Sequence, residues 1–277
     1  MTTESNAIGA NLATENSVNR KSFGIDVGGT GVKGAIVDLE TGEFASERIR
    51  LETPQPATPD AVAAAAAEIV KKLEWTGPVG ITLPCVVQNG VARTAANVDK
   101  SWIGTDAVSL FKAAFGGVPV AVVNDADAAG LAEDRYGAGK NYSGVVILLT
   151  FGTGIGSAVL NNGVLLPNTE FGHIEVGGKE AEHRAANSVR EGKELSWKKW
   201  AKQVSKVLRA FEDLMWPDIF IAGGGVSKKS DKWIPLLDNR TKVIPAELLN
   251  TAGIVGAAMA ADALGRPGND RTEMGLK

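Results

Sequence analysis

Cysteine and histidine are scarce in this chain: Cys85 stands alone, and His173 and His183 are the only histidines among 277 residues. One thiol cannot form an internal disulfide, and one Cys with two His cannot complete a four-ligand zinc site of Cys/His type. An excess of one charge is also missing, with 29 Lys and Arg against 32 Asp and Glu. That balance leaves no global basic footprint for nucleic acid and no acidic tail. No apolar run reaches the roughly 18–20 residues that span a bilayer. The alanine-rich run 61–67 reads as helix instead. Residues 1–20 hold no apolar core of a secretory signal, so they are expected to be a disordered leader and the protein to be cytoplasmic. What remains is ordinary for a globular chain: 44% hydrophobic and 22% charged residues, enough for one large or two modest domains.

Glycine, by contrast, is abundant at 33 residues, and its positions organise the chain. An apolar strand over 23–27 leads through a glycine turn into a second strand over 34–38. A third strand is expected over 46–51, then a proline loop and an alanine helix over 59–73. Residues 79–83 and 118–123 read as short buried strands, and 126–136 as a helix closed by Gly137 and Gly139. The second half then restarts with a strand over 145–150. Residues 152–161 align without gaps on 29–38: GTG, a β-branched residue, a small one, then A-[IV]-[VL]-[DN]. Such self-similarity argues for two related halves. A long helix is expected over 194–215, with Trp200, Val204, Val207, Leu208, Phe211, Leu214 and Met215 on one face. Lys198, Lys199, Lys202, Lys206 and Arg209 fall on a separate stripe. Pro217 ends that helix, a strand over 218–222 follows, and a helix rich in Ala and Gly over 252–264 closes the chain.

The first glycine turn carries Asp26, Gly28, Gly29, Thr30, Gly31 and Lys33. A strand follows it, not a helix, which argues against both the dinucleotide fingerprint and the P-loop. Glycines let backbone N–H groups approach an anion closely. Asp26 can hold Mg²⁺ through water, and Lys33 can neutralise phosphate charge. A tight hairpin without any ligand is the plain alternative. The echo at Gly152, Thr153 and Gly154 favours the ligand, because two facing hairpins can grip a phosphate chain with Thr30 and Thr153 as hydroxyl donors. Gly223, Gly224 and Gly225 sit between a strand and an expected helix, where a nucleotide or further phosphates can rest.

These three glycine elements, in this order, resemble the phosphate 1, phosphate 2 and adenosine motifs of the sugar kinase/Hsp70/actin superfamily. Glu170-Phe171-Gly172-His173 is similar to the E-x-G-H signature of the ROK family of sugar kinases and repressors. Asn124-Asp125-Ala126-Asp127-Ala128 resembles that family's N-D-A-n-A segment, and the likeness runs over 23–264. It implies an α/β, two-domain actin-like (ribonuclease H-like) fold with the active site in the interdomain cleft. The expected divisions are a small domain over 21–122, a larger one over 123–251, helix 252–264 packing back on the first, and a polar tail over 265–277. The resemblance also implies phosphoryl transfer to a sugar 6-hydroxyl with Asp125 as general base. The plain reading of Asp125 is a helix N-cap. Thr82, Pro84, Asn97, Asn124, Asp125, Glu170, His173 and Glu182 match the family's sugar contacts, since vicinal hydroxyls want paired donors and acceptors.

Typical members carry a C-x-C-G-x-x-G-C zinc cluster after E-x-G-H, and residues 177–184 here contain no cysteine. Zinc is therefore not expected, and Mg²⁺, held through Asp26, is the expected cofactor. That departure, with the wording of 51–54, 97–102 and 216–218, resembles the polyphosphate glucokinase branch of the family. It implies glucose and also mannose as acceptors, inorganic polyphosphate and ATP as donors, a homodimer, and no nucleic-acid or membrane partner. Two alternatives are a strictly ATP-dependent glucokinase and a sugar-sensing regulator. The regulator would need a helix-turn-helix domain, for which residues 1–20 are too few. Between 179 and 209, nine Lys and Arg face four Asp and Glu, a net +5 inside a chain of net −3. A basic lane suits a long polyanion, and Lys228, Lys229 and Lys232 can extend it. A solvated helix face is the plain reading of the same stripe.

Overall fold

The computed structural model describes residues 20–264; the expected leader, save Arg20, and the expected tail over 265–277 lie outside the described residues. In the first sheet, β1 (Lys21–Gly28), β2 (Gly31–Asp38) and β3 (Ile49–Leu51) run antiparallel, and β4 (Val79–Leu83) joins β1 in parallel. A short separate hairpin, β5 (Val87–Gln88) and β6 (Val91–Ala92), precedes β7 (Val120–Asn124), which completes the order β3-β2-β1-β4-β7. The second sheet repeats the pattern with β8 (Val145–Phe151), β9 (Ile155–Asn161), β10 (Val164–Leu166), β11 (Ile219–Gly223) and β12 (Val243–Pro245), ordered β10-β9-β8-β11-β12. The glycine repeat is thus a repeat of topology. Its register is not identical: Lys33 pairs with Asp26, whereas the aligned Gly156 pairs with Thr150. Two unpaired residues, 29–30, turn the first hairpin and three, 152–154, the second, so the pairing shifts by one and Thr150 rather than Leu149 occupies the place of Asp26.

Helices α1 (Pro59–Lys72) and α2 (Ala107–Ala114) cover the outer face of the first sheet, while α3 (Asp125–Arg135) lies between the sheets. On the outer face of the second sheet sit α4 (Ala181–Ala185), α5 (Asn187–Gly192) and α6 (Trp197–Met215). Finally α7 (Ala252–Leu264) returns between the sheets, against α3, β1 and β4. Its near-total burial explains a composition that is apolar all round. Close approach explains the glycines: a Cβ on Gly24 or Gly80 would overlap the carbonyls of Ile254 and Ala257, and one on Gly256 would overlap that of Ala128. Backbone meets backbone at all three places. At the root of the second hairpin, Phe151, Trp200 and Trp233 pack edge to face with centroids 4.9–5.8 Å apart. Such rings bury large areas and fix one another's angle, so β8 enters its glycine turn from a rigid base.

Several expectations shift. The long helix begins at Trp197, where Ser196 accepts the Lys199 N–H as its cap. In its last turn Leu214 is 67% exposed, and Glu212 takes the buried row instead, where it accepts the Asn239 amide at 3.0 Å. The third strand shortens to Ile49–Leu51, because the Ser46 hydroxyl accepts the Ile36 N–H. Residues 225–232 form 3₁₀ turns rather than a regular helix, and β7 stays in the first sheet through Asn124. No described helix is long and apolar enough to cross a membrane.

Candidate active site

The two hairpins and the Gly223–Gly225 corner meet over a cleft of about 270 Å³, lined by Asp26, Lys33, Asp125, Thr150, Lys228, Gly253 and that glycine triplet. Asp26 is held from both sides. Its Oδ1 accepts the Thr82 hydroxyl at 3.0 Å and its Oδ2 accepts Lys33 Nζ at 3.1 Å. Thr82 in turn accepts the Val27 N–H at 3.1 Å. The Thr82 hydroxyl is therefore committed to Asp26 and buried, where the sequence suggested a sugar-facing loop. At Gly253 a Cβ would come within 2.8 Å of Asp26 Oδ1, so the start of α7 is bare where the carboxylate needs room.

Asp125 opens α3, but Asn124 is the cap. Asn124 Oδ1 accepts the Ala126 and Asp127 N–H groups at 2.8 and 3.1 Å, and its Nδ2 donates to the Cys85 carbonyl at 3.1 Å. This locks Asn124 and leaves Asp125 facing the cleft with one oxygen on the Ala126 N–H at 2.9 Å. Asp125 is exposed toward the cleft, yet protein surrounds it on its other sides. Desolvation, then the Asp26 charge and more weakly Glu170, push its carboxyl up to about 6. A carboxylate so poised can accept a proton near neutral pH. Behind it, burial and then Asp125 push the Cys85 thiol up to about 12, which keeps it protonated and no nucleophile.

The acidic wall continues from Asp125 to Glu170, whose own carboxyl is raised by desolvation. His173 Nε2 stands 4.0 Å from Glu170, and its Nδ1 stands 3.6 Å from Glu180 and 4.0 Å from Glu182. His173, Glu180 and Glu182 each offer one ligand atom within 4.8 Å of the others, a set that can also bracket vicinal hydroxyls. Glu182 reaches the second hairpin, where Oε2 accepts the Ile155 N–H at 3.4 Å. Asn97 lies apart from this wall, with positive φ, against Gly29 of the first hairpin. Pro84 is buried, and its carbonyl accepts the N–H of Ala96, the residue before Asn97, at 3.1 Å.

The glycine turns are pinned from behind. Arg50 donates to the Thr30 carbonyl at 2.9 Å, while the Ser188 hydroxyl and N–H donate to the Thr153 and Gly152 carbonyls at 2.6 and 3.1 Å. Gly28, Gly31 and Gly154 complete the two turns, and Gly224 takes φ +81° where a Cβ would strike Phe151. Three residues to which the sequence reading gave no role also shape the site. Asp127 is 2% exposed; its Oδ2 accepts the Asn168 N–H at 2.7 Å, its Oδ1 has no partner, and desolvation first pushes it up to about 7. Asn168, at φ +60°, exchanges bonds of 2.8 and 2.9 Å with the Val87 backbone, joining α3 and β5 to the loop ahead of Glu170. Buried Glu133 accepts the Ala138, Glu247 and Leu248 N–H groups at 2.9, 3.1 and 2.7 Å, so it holds another cleft wall. A second acid two places after Asp125 was the available signal for Asp127. Glu133 offered none.

Comparison with known proteins adds four findings. A profile of the ROK family matches residues 22–184. The polyphosphate glucokinase of Mycobacterium tuberculosis is 66% identical over 244 residues, covering 88% of this chain and 92% of that one. The crystal structure of the inorganic polyphosphate/ATP-glucomannokinase from Arthrobacter sp. strain KM superposes with TM-score 0.83 at 49% identity, covering 90% of this chain and 100% of that one. The glucokinase of Streptomyces coelicolor is a more distant relative, 28% identical over 316 residues, with 86% of this chain and 96% of that one covered. The two-domain actin-like α/β fold implied by the motifs is the fold shared with these sugar kinases.

Proposed function

The chain belongs to the ROK family, and from that membership we propose that it is a glucokinase that moves a phosphoryl group from inorganic polyphosphate, and from ATP, to the 6-hydroxyl of glucose. The observation that carries the reading is the 66% identity to a polyphosphate glucokinase across nearly the whole of both chains.

The cleft supplies a mechanism. Glucose lies between the loop bearing Asn97 and the wall of Glu170, His173 and Glu182, with Asn124 and Asp125 at its floor. Asp125 accepts the 6-hydroxyl proton as that oxygen bonds to the terminal phosphorus of the donor, and the shortened polyphosphate or ADP departs with the electrons of the broken P–O bond. Lys33 and the backbone of the two glycine turns oppose the charge on the transferred group. Asp26 is a hard oxygen donor that would suit Mg²⁺. Both Asp26 oxygens already accept a hydrogen bond, so that residue would hold the ion through water. Mg²⁺ when bound neutralises the donor phosphates. Mannose as a second acceptor is supported by the name of the Arthrobacter relative, and a cytoplasmic homodimer by the family resemblance.

The test is glucose with Mg²⁺ and long-chain polyphosphate, free of nucleotide, with glucose 6-phosphate followed over time. Turnover is expected. Product formed with ATP alone would return the protein to the strictly ATP-dependent alternative.

A further inference from the structure

Beside the acidic wall, three cations gather without an acid to face. Lys179 follows the Gly177-Gly178 turn, Arg184 lies in α4, and Lys193 ends α5. The Lys193 ammonium, ahead of desolvation and of Arg184, holds Lys179 below its usual range although Lys179 is in open solvent. Such an effect in water needs the charges close together. Two acids close by in the chain are turned elsewhere: Glu180 faces His173 and His183, and Glu191 pairs with Arg190. Among the described residues neither Lys179 nor Lys193 is in an ion pair.

Arg184 is fixed in place. It donates to the Val176 carbonyl at 2.7 and 3.0 Å, to the Gly177 carbonyl at 3.1 Å and to Gln203 Oε1 at 3.0 Å. Gln203 is on α6, four residues after Lys199 and three before Lys206, spacings that share one helix face. Arg209 leaves this stripe to pair with Asp238 at 2.5 Å. The cluster also has a short path to the transfer site. Ser188 ties the start of α5 to Thr153 and Gly152, and Lys193 follows five residues later, about 7.5 Å along a helix at 1.5 Å per residue.

We propose that Lys179, Lys193 and Arg184 form an anion subsite that holds phosphates of an inorganic polyphosphate chain beyond the one being transferred, with Lys199, Lys202 and Lys206 continuing it along α6. This rests on the donor reading above. A nucleotide presents no phosphate past its α position, whereas polyphosphate continues as a uniform polyanion. The sequence placed the lane on α6; the structure brings its near end to the 177–193 segment, next to the second hairpin.

The full chain bearing K179Q and K193Q together is compared with the unaltered protein at saturating glucose. The donors are long-chain polyphosphate, tripolyphosphate and ATP. Losing two exposed charge contacts should raise KM for the long chain about tenfold. KM for tripolyphosphate and ATP should stay within about twofold on the same scale. The difference should shrink as salt is raised, because exposed charges are screened beyond about 8 Å at physiological ionic strength. Both side chains are exposed, so the melting temperature should not change. An unchanged KM for the long chain, or an equal rise for ATP, overturns the subsite. Direct titration with long-chain polyphosphate separates the two ideas. Equal binding by both proteins overturns the subsite, whereas an unaltered protein that binds the polymer yet transfers nothing from it overturns the donor reading.

Discussion

Asp125 has burial, Asp26 and Glu170 all raising its proton affinity, to about 6. A general base must be ionised to work, so the sign is fixed: with the folded-state value raised, activity is full above it and lost below. We expect kcat/KM for glucose to fall as pH drops through about 6, by about tenfold per unit beyond it. A profile flat from neutral pH to well below that value would remove Asp125 from the role. Asp127 makes a different prediction because it acts through Asn168. Asp127→Ala leaves the Asn168 N–H without its acceptor, a loss of about 1–3 kcal/mol for a buried group. The loop carrying Glu170 and His173 should loosen, raising KM for glucose about tenfold while KM for the donor holds. Asp127→Asn keeps an acceptor oxygen and should restore glucose KM, an outcome that general destabilisation would not give. At this scale the sequence exposed what is local. Asp125, Glu170 and His173 stand in short contiguous motifs, whereas Asp127, Glu133 and the Asp26–Thr82 bond depend on partners 41, 115 and 56 residues away.

Elements in this fold are positioned by what their glycines leave out. Gly80 of β4 faces the Ala257 carbonyl so closely that a Cβ would overlap fixed backbone, and no side chain can swing aside. Gly80→Ala should cost about 1–3 kcal/mol or more by overpacking, lowering the melting temperature by about 2–4 °C per kcal/mol for a chain of this size. Gly192→Ala, at the open end of α5 with nothing nearby, should leave it unchanged or slightly higher. Calorimetry of both variants checks the contrast; equal effects would mean that α7 does not seat on bare backbone. Periodicity read α1, β4, α3 and α7 well because each has one environment along its length. It missed α2, α4, α5 and β12, which are short and half-exposed, and it misjudged Leu214 because a wheel cannot tell that Asn239 waits to bond a buried Glu212. The gapless repeat likewise hid the one-residue difference between the hairpins, which appears only in strand pairing.

Across the whole molecule, duplication does most of the work. Two sheets of the same order put a glycine hairpin on each side of one cleft, and α3 and α7 hold those sheets back to back. The asymmetry lies in charge. Asp26 in one half is matched by Thr150 in the other, and the net +5 of residues 179–209 sits in a chain of net −3. Fold and chemistry were readable from three glycine motifs and E-x-G-H together, while the direction of the basic lane needed the contacts of Ser188 and Arg184. All of this converges on Asp125 taking the sugar proton in that cleft, and one substitution tests it most directly. Turnover of Asp125→Ala is measured with polyphosphate and with ATP, beside calorimetric binding of glucose. The mechanism predicts a fall of about 10²–10⁴-fold with both donors while glucose still binds. Near-normal turnover with either donor would contradict it.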